Sequence, residues 1–418
     1  MAREVLVYAD WEVFDQPNLV GTLRQSLIRN SEHFSFHYDD SWLMSDYARS
    51  IDPELTLFQG EQHAVGGRNF RTFLDSCPDR WGRTLMQRRE AILARLEERP
   101  RQRLTEMDFL LGVHDTYRMG ALRFKDSETG PFLNDLDELA APPVTSLREL
   151  ELAAWRVQAP DSDDDPDVAR WLGMLISPGS SLGGARPKAS VMVGEDELWL
   201  AKFPGREDDY DVAAWEYLTR ELALEAGIVM APANLRTLAS THQTFLTRRF
   251  DRSPDSRIHF SSAMTQLGYY DGHADGASYL EIAEFLTRSG GNVPEDLPQL
   301  WRRILFNVMV SNTDDHLRNH GFLLTQAGWV LSPAYDVNPN PAGPSGLSLN
   351  IDDADNSLSI DLVMSVAPYF QLRLPQAKAI KDEVCSVVAT WQNKAALHGL
   401  PAIEIDRMAL AFQASQQN

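Results

Sequence analysis

Carboxylate and amide side chains cluster in residues 311–319 (SNTDDHLRN), and Asp336 follows them after two short strand-like runs. Asp314 and Asn319 have the D-x-x-x-x-N spacing of a phosphotransferase loop. In such a loop the Asp orients the acceptor hydroxyl, while the Asn and a later Asp hold magnesium on the phosphates. Asp315 does not fit this spacing, so Asp314 is predicted to act as the base, and Asp315 to lie at the surface or to support the site. Taken alone, Asp314 is as typical of a polar turn at the end of a helix.

A second group of polar residues lies more than a hundred residues earlier, in the loop 180–188 (SSLGGARPK) and just after it. Adjacent glycines let backbone amides approach phosphate oxygens, and Arg186 and Lys188 add positive charge. Lys202 ends an alternating strand, where it is predicted to meet nucleotide phosphates and to pair with Glu216 on the next helix. Each feature by itself is also typical of ordinary structure: a tight turn, an edge-strand lysine, or a glutamate that favours the first turn of a helix. Their order along the chain favours the phosphotransferase interpretation.

Strand and helix patterns predict the elements that would position these residues. Four segments are strand-like and indicate a small β-rich unit: 3–14, 17–27, 31–44 and 53–60. The middle of the chain has the pattern of a sheet crossed by one helix, which Asp211 caps and Gly227 ends. From about residue 278 the chain turns helical and carries one hairpin between 321 and 332. The sequence therefore predicts an α+β fold, with a first internal boundary near 125–145.

Composition limits the class of protein. The 418 residues suffice for two or three domains, and 43% hydrophobic with 24% charged residues is ordinary for a globular protein. No apolar run of about 18 residues and no signal-peptide pattern occurs, and Cys77 and Cys385 are the only cysteines. A cytoplasmic protein without membrane contact is therefore expected. The formal charge of −21 disfavours direct binding of DNA, whose phosphates are first contacted by Lys and Arg.

A histidine beside carboxylates is also compatible with a hydrolase. No G-x-S-x-G elbow accompanies it, however, and His316 and His320 are four positions apart without an H-E-x-x-H motif. Gly321 would also end the helix that such a zinc motif needs. Both hydrolytic interpretations are therefore disfavoured.

Several motifs together resemble the HipA family of bacterial Ser/Thr kinases, which are the toxins of type II toxin–antitoxin modules. In the middle and C-terminal parts these are SSLGGARPKA, LWLAKFP, FLTRRFDR, NTDDHLRNHGFLL and LSPAYDVNP. FLDSCPDRWGR and GALRF are similar to the N-terminal subdomain of the family. The resemblance extends from about residue 10 to 400.

The resemblance implies a two-lobed kinase-like fold of the α+β class. Its N-terminal lobe would be β-rich and carry an extra N-terminal subdomain, and its C-terminal lobe would be mainly α-helical. The expected division is 1–130 for the subdomain, 131–250 for the ATP-binding part of the N-terminal lobe, and 251–418 for the catalytic lobe.

The resemblance also implies roles for single residues. Asp314 would be the catalytic base, Asn319 and Asp336 would bind Mg²⁺, Glu216 would be the partner of Lys202, and Ser181 would be autophosphorylated. The expected ATP-contacting residues are Gly183, Gly184, Ala185, Arg186, Pro187, Lys188, Lys202, Arg248, Arg249, Phe250, His316, Leu317, Arg318, Asn319, Tyr335 and Asp336.

Partners are implied in the same way. The expected partner is a HipB-like helix-turn-helix antitoxin, through which alone the chain would reach DNA. The expected substrate is a translation component such as an aminoacyl-tRNA synthetase. The rival interpretation is a catalytically weak, kinase-like scaffold that acts mainly as a co-repressor with the antitoxin.

Overall fold

Helices and strands are mixed along the whole chain in the computed structural model, which confirms the α+β prediction. The structure describes all residues except 1, 12, 30, 136–145, 166, 177–183, 185, 195–196, 254–255, 344–345 and 414–418. The chain divides into two compact units. Unit 1 comprises Met1–Glu207, Leu238–Thr241 and Arg248–Ser261, and unit 2 comprises Asp208–Thr237, His242–Thr247 and Ser262–Asn418. The three-part domain division remains a prediction.

The described strands are β1 (Arg3–Ala9), β2 (Asn18–Ile28), β3 (Ser31–Tyr38), β4 (Gln62–His63), β5 (Leu122–Lys125), β6 (Lys188–Val193), β7 (Glu197–Lys202), β8 (Ala233–Arg236), β9 (Thr244–Arg248), β10 (Phe260–Ser262), β11 (Gly321–Thr325) and β12 (Gly328–Leu331). The described α-helices are α1 (Asp40–Leu43), α2 (Arg71–Asp75), α3 (Arg80–Leu96), α4 (Glu106–Gly112), α5 (Leu147–Val157), α6 (Val168–Ile176), α7 (Val212–Glu225), α8 (Ala263–Gln266), α9 (Tyr279–Ser289), α10 (Val293–Met309), α11 (Ile360–Val366), α12 (Leu374–Val388), α13 (Trp391–Leu397) and α14 (Ala402–Met408). Among the described residues, no helix is both long and apolar enough to cross a membrane.

A five-stranded sheet in the order β4-β3-β2-β1-β5 forms the first part of unit 1. On its inner face, Phe36 of β3 and Phe124 of β5 pack with Phe70 and Phe73 from the start of α2, at ring-centroid distances of 5.9–6.5 Å. Apolar side chains recur at every second residue of these strands, which is why this face is buried. The β-rich unit expected at the N-terminus is thus present.

The segment 53–60 is not a strand, contrary to the prediction. The side chain of Gln62 takes the place of a neighbouring strand. Its Oε1 accepts the Thr56 N–H at 2.9 Å, and its Nε2 donates to the Thr56 carbonyl at 2.9 Å. A side chain that satisfies a backbone amide and carbonyl removes the need for a ladder partner.

An antiparallel hairpin of β6 and β7 lies in the later part of unit 1, with Lys188 opposite Lys202. Five of the six residues of β7 are buried. Lys202 is among them, so the alternative of an edge-strand lysine that points to water is wrong.

Helices α9 and α10 form the centre of the unit 2 core, where Trp301 and Phe306 are fully buried. Helix α9 begins with the reciprocal capping box of Ser278 and Glu281. The helix predicted after Asp211 is α7, and Gly227 adopts the left-handed φ of 78° that follows its end. Helix α10 runs directly into the polar segment 311–319, so the apolar core sets where that segment begins.

Candidate active site

The segment after α10 turns sharply and exposes Asp314. Ser311 has a left-handed φ of 50°, and the Asn312 N–H donates to the Asn307 carbonyl at 2.9 Å. Asn312, Thr313 and Asp315 are buried, whereas Asp314 is exposed. The chain therefore presents one carboxylate to solvent from a loop that is otherwise anchored in the core.

Asn319 ends the 3-10 turn Leu317–Asn319 and faces back toward this loop. Its Nδ2 donates to the Asp314 carbonyl at 3.2 Å, which ties the two residues together. Its Oδ1 is buried and accepts no hydrogen bond in the structure. A buried amide oxygen without a partner is costly, and oxygen is the ligand that Mg²⁺ prefers. This atom therefore fits a bound magnesium ion.

Asp336 follows the β11–β12 hairpin, and the residue before it holds the two segments together. The Tyr335 hydroxyl donates to the Arg318 carbonyl at 2.6 Å, next to Asn319 in the chain. Asp336 itself has a left-handed φ of 58°. No group of three or more His, Cys, Asp or Glu among the described residues could hold a metal, but Mg²⁺ needs only one or two carboxylates besides waters and phosphates. Asn319 and Asp336 together fit that requirement.

Asp315 is buried in unit 2, with 3% of its surface exposed, so its expected alternative position at the surface is wrong. Its Oδ2 accepts hydrogen bonds from the Tyr279 hydroxyl, from Asn307 Nδ2 at 2.8 Å and from His320 Nε2 at 2.9 Å. Burial raises the pKa of the Asp315 carboxyl, but His320 and Tyr279 together lower it more, so the net pKa lies below its usual range. Asp315 is thus a charged internal anchor of the loop.

Three further residues of the predicted ATP set lie between the two aspartates and Asn319. Leu317 is fully buried in the unit 2 core, so only its backbone could meet a nucleotide. His316 and Arg318 are partly buried. The segment therefore offers backbone groups and two basic side chains.

The Gly-rich segment is described only in part. Ser181, Gly183 and Ala185 lie outside the described residues. Gly184 has a left-handed φ of 92°, and its carbonyl accepts Lys188 Nζ at 3.3 Å. A conformation of this kind is readily adopted only by glycine.

Lys188 is buried and ion-paired inside unit 1. Its Nζ lies 2.8 Å from Asp79 Oδ2, and 1% of its side-chain surface is exposed. Sequence reasoning missed Asp79, which comes from the CPDRWG motif near the N-terminus. Beside Lys188, Pro187 is buried and Arg186 partly exposed.

The predicted pair of Lys202 and Glu216 belongs to two different units, with Lys202 in unit 1 and Glu216 in unit 2. Both side chains are buried. Their pairing stays a prediction.

Arg249 belongs to a buried cluster of charged residues in unit 1. Its guanidinium donates to both carboxylate oxygens of Asp251, at 2.9 and 2.6 Å, and to the Tyr117 carbonyl at 2.6 Å. Asp251 also accepts the Gly120 N–H at 2.8 Å and pairs with Arg252. Burial raises the pKa of Asp251, but the arginines outweigh it and bring the pKa to about 2. Arg249 could therefore meet an adenine only through its backbone.

The two neighbours of Arg249 in the expected ATP-contacting set are Arg248 and Phe250. Arg248 is partly exposed, and its guanidinium lies 3.4 Å from Glu197 Oε1. The Phe250 ring packs against Phe260 at a centroid distance of 6.1 Å.

Sequence reasoning also missed polar residues of unit 2 that contact this loop from within: Asn307, Asn312, Tyr279 and Asn338. One signal for Asn307 was present, because it interrupts the apolar run ILFNVMV. A polar residue in such a run is buried with the helix and needs an internal partner.

Comparison with known proteins relates the chain to one family. The model of the HipA-like C-terminal domain matches residues 180–391, which is more than half of the chain. The complex of HipA, HipB and operator DNA from the toxin–antitoxin system of Shewanella oneidensis MR-1 contains a chain of similar fold, with a TM-score of 0.61 and 16% identity over 98% of this chain and 95% of that chain.

Two curated proteins of Sinorhizobium fredii are similar over shorter segments. "Putative kinase Y4dM" is 29% identical over 97 residues, which are 23% of each chain. "Putative kinase Y4mE" is 27% identical over 138 residues, which are 31% of this chain and 33% of that protein. The matched segments thus span a quarter to a third of these relatives. The family model, which covers the loop, the hairpin and Asp336, is the decisive match: the chain belongs to the family of the HipA-like C-terminal domain.

Proposed function

We propose that the protein is an ATP- and Mg²⁺-dependent protein serine/threonine kinase of the HipA toxin type. The observation that carries the proposal is the pair of Asp314 and Asn319. Asp314 is exposed, the Asn319 Oδ1 is buried without a hydrogen-bond partner, and Asn319 Nδ2 donates to the Asp314 backbone carbonyl at 3.2 Å, in the loop after a core helix.

The residues of the chain have separable roles in this proposal. Asp314 accepts a hydrogen bond from the substrate hydroxyl and orients the hydroxyl oxygen toward the phosphoryl group. Asn319 and Asp336 would hold Mg²⁺, which when bound neutralises the charge of the transferring phosphates. Lys202 would contact the nucleotide phosphates, and Arg248–Phe250 would line the adenine. Positioning by these residues supplies most of the rate acceleration in such a reaction.

Transfer of label from [γ-³²P]ATP tests the kinase proposal. The wild-type protein is incubated with Mg²⁺ and a cell extract, and compared with Asp314→Asn and with the matched control Asp353→Asn, which changes another exposed aspartate of unit 2. Loss of the orienting carboxylate should lower incorporation by about 10³-fold or more, whereas the control should keep the wild-type level. Equal incorporation by wild type and Asp314→Asn would refute the proposal.

The proposed protein partner follows from the fold of a similar chain and from the charge of this one. The similar Shewanella chain was solved in a complex with HipB and operator DNA. A helix-turn-helix antitoxin is the proposed partner here, because a chain of charge −21 needs a basic partner to reach DNA. Size-exclusion chromatography with DNA, with and without a candidate helix-turn-helix antitoxin, would test this partnership. The chain should bind DNA only in the presence of that antitoxin.

A translation component such as an aminoacyl-tRNA synthetase is the proposed substrate, and Ser181 the proposed autophosphorylation site. Both rest on the motif resemblance. Mass spectrometry of the labelled extract would identify the substrate. For Ser181, a phosphate of charge about −1.5 to −2 would compete with ATP for the Gly-rich loop. The phosphorylated protein should therefore bind ATP more weakly than Ser181→Ala, and equal affinity would contradict the role.

A further inference from the structure

Three asparagines connect Asp315 with Asp336 through side-chain hydrogen bonds and one backbone N–H. Asn307 Nδ2 donates to Asp315 Oδ2 at 2.8 Å, and Asn312 Nδ2 donates to Asn307 Oδ1 at 3.1 Å. The Asn338 N–H donates to Asn312 Oδ1 at 3.2 Å, and Asn338 Nδ2 donates to Asp336 Oδ1 at 3.3 Å. We call Asn307, Asn312 and Asn338 the asparagine relay.

The relay joins two segments that are distant in sequence. One end is Asp315, next to the proposed base Asp314, and the other end is Asp336, the second proposed magnesium residue. Asn307 belongs to α10, so the relay connects both segments to the same helix of the core. All of these residues belong to unit 2.

In Asn307 and Asn312, both the amide nitrogen and the amide oxygen of the side chain take part in hydrogen bonds. Asn307 and Asn312 are buried, and each one donates to one neighbour and accepts from another. In a buried setting such bonds are stronger than in water, and a lost partner leaves an uncompensated polar group. A shift of the segment 336–338 away from the loop would therefore break a buried bond.

The relay adjoins a small cavity that is lined by Asn307, Asp315, Asn319 and Tyr335, among others. Side chains that line a cavity have fewer packing contacts than those in a filled core, so hydrogen bonds contribute more to the separation of the two segments here.

We propose that the asparagine relay sets the position of Asp336 relative to Asn319 and thereby shapes the magnesium site. Asn307, Asn312 and Asn338 are positioning residues, since none of them is proposed to touch the metal or the nucleotide. The inference rests on the proposed function and adds three positioning residues to its proposed site.

Binding of Mn²⁺, as a spectroscopic substitute for Mg²⁺, tests the inference without any need for turnover. Free Mn²⁺ is measured by electron paramagnetic resonance with a non-hydrolysable ATP analogue present, for Asn307→Ala, Asn338→Ala and their double variant. The matched control is Asn350→Ala, which removes one amide hydrogen bond of 3.3 Å, to the Gly276 carbonyl, elsewhere in unit 2.

Each single relay variant should weaken Mn²⁺ affinity by about 10–100-fold, the range seen when residues that orient metal ligands are removed. The double variant should bind no more weakly than the weaker single variant, because both substitutions interrupt the same chain of bonds. The control should stay within about twofold of the wild type. In the kinase assay, kcat should fall while KM for ATP changes less, since the nucleotide contacts are retained.

Two results would overturn the inference: wild-type Mn²⁺ affinity in both single variants, or independent, multiplicative losses in the double variant. If Asn307→Ala has no cooperative unfolding transition, Asn338→Ala decides alone, because Asn338 is only partly buried. A wild-type protein that binds Mn²⁺ with the ATP analogue but transfers no label would refute the kinase proposal and leave the relay result standing.

Discussion

The ammonium group of Lys188 lies 2.8 Å from Asp79 Oδ2, although 109 residues separate the two in the chain. The other carboxylate oxygen of Asp79 accepts the Gly82 N–H at 2.9 Å and caps helix α3. One carboxylate therefore caps a helix of the N-terminal part and neutralises a buried lysine of the β6–β7 hairpin.

Replacement of this carboxylate by an amide should destabilise the protein strongly. Asp79→Asn keeps an oxygen that can cap α3, but it removes the carboxylate charge that lies 2.8 Å from the buried ammonium group of Lys188. The loss of one partner of a buried ion pair costs about 3–5 kcal/mol. Urea unfolding followed by tryptophan fluorescence measures this loss. In the double variant Asp79→Asn/Lys188→Met both charges are gone, so stability should partly return, and a further decrease would contradict the pairing.

His259 should make the stability of the protein depend on pH. It is buried and stacks on Trp11 at a centroid distance of 4.9 Å. Burial, with a smaller effect of Arg49, lowers the pKa of His259 to about 3. In the unfolded chain the same imidazole binds its proton at about pH 6.5. The contribution of His259 to the free energy of unfolding is therefore complete above that pH and is lost as the pH falls toward 3.

The variant His259→Phe checks this expectation and keeps an aromatic ring against Trp11. Between pH 6 and 4, the free energy of unfolding of the wild type should fall more steeply than that of the variant, by up to about 1.4 kcal/mol per pH unit. Urea unfolding at a series of pH values measures both slopes. Parallel slopes would show that His259 binds its proton equally in both states.

Tyr279 should contribute more to stability than a partly buried tyrosine with a similar bond. Its hydroxyl donates to the buried carboxylate of Asp315, and hydrogen bonds to charged groups contribute about 1.5–3 kcal/mol. Tyr279→Phe should lose an amount of this order. Tyr269→Phe is the matched control, because it removes a bond of 2.8 Å to Glu281 at a partly exposed position and should cost less. Thermal unfolding of both variants makes the comparison, and equal losses would argue against the buried anchor.

Two substitutions of Asp336 should separate the conformational strain of its backbone from the metal-binding role of its carboxylate. Its φ of 58° lies in the left-handed region, which glycine adopts without strain. Asp336→Gly and Asp336→Ala should both abolish Mn²⁺ binding, but the glycine variant should be more stable by about 1 kcal/mol. Mn²⁺ titration and thermal unfolding give the two quantities. An alanine variant that is the more stable of the two would disprove the strain.

Local signals in the sequence predicted α7 and the β11–β12 hairpin, but they also predicted a strand at 53–60, where the structure has none. Thr105 with Asp108 and Ser278 with Glu281 stand at the spacing of capping boxes, and both helices begin there. Gly227 ends α7 for an equally local reason. The resemblance to the HipA family, read from short motifs, is confirmed by the family match.

The internal partners could not be predicted, because they depend on contacts between distant parts of the chain. Nothing near Lys188 in the sequence points to Asp79, and nothing near Asp336 points to Asn312. The two alternatives for Asp315 stayed open for a related reason, since spacing within a motif distinguishes it from Asp314 but does not say which of the two faces the core. Their positions follow from tertiary packing, which periodicity does not report.

The cluster around Asp251 has a consequence for synthesis of the protein. Asp251 accepts the Gly120 N–H across 131 residues, and Arg252 donates to the Arg118 carbonyl. Chains emerge from the ribosome N-terminus first, and domains tend to fold as they emerge. The N-terminal sheet is therefore complete long before residue 251 has been translated, and the 117–120 segment must wait for its acidic partner until more than half of the chain has been made. Ribosome-bound chains that stop before residue 251 should expose this segment to proteases, whereas chains arrested well beyond it should protect it.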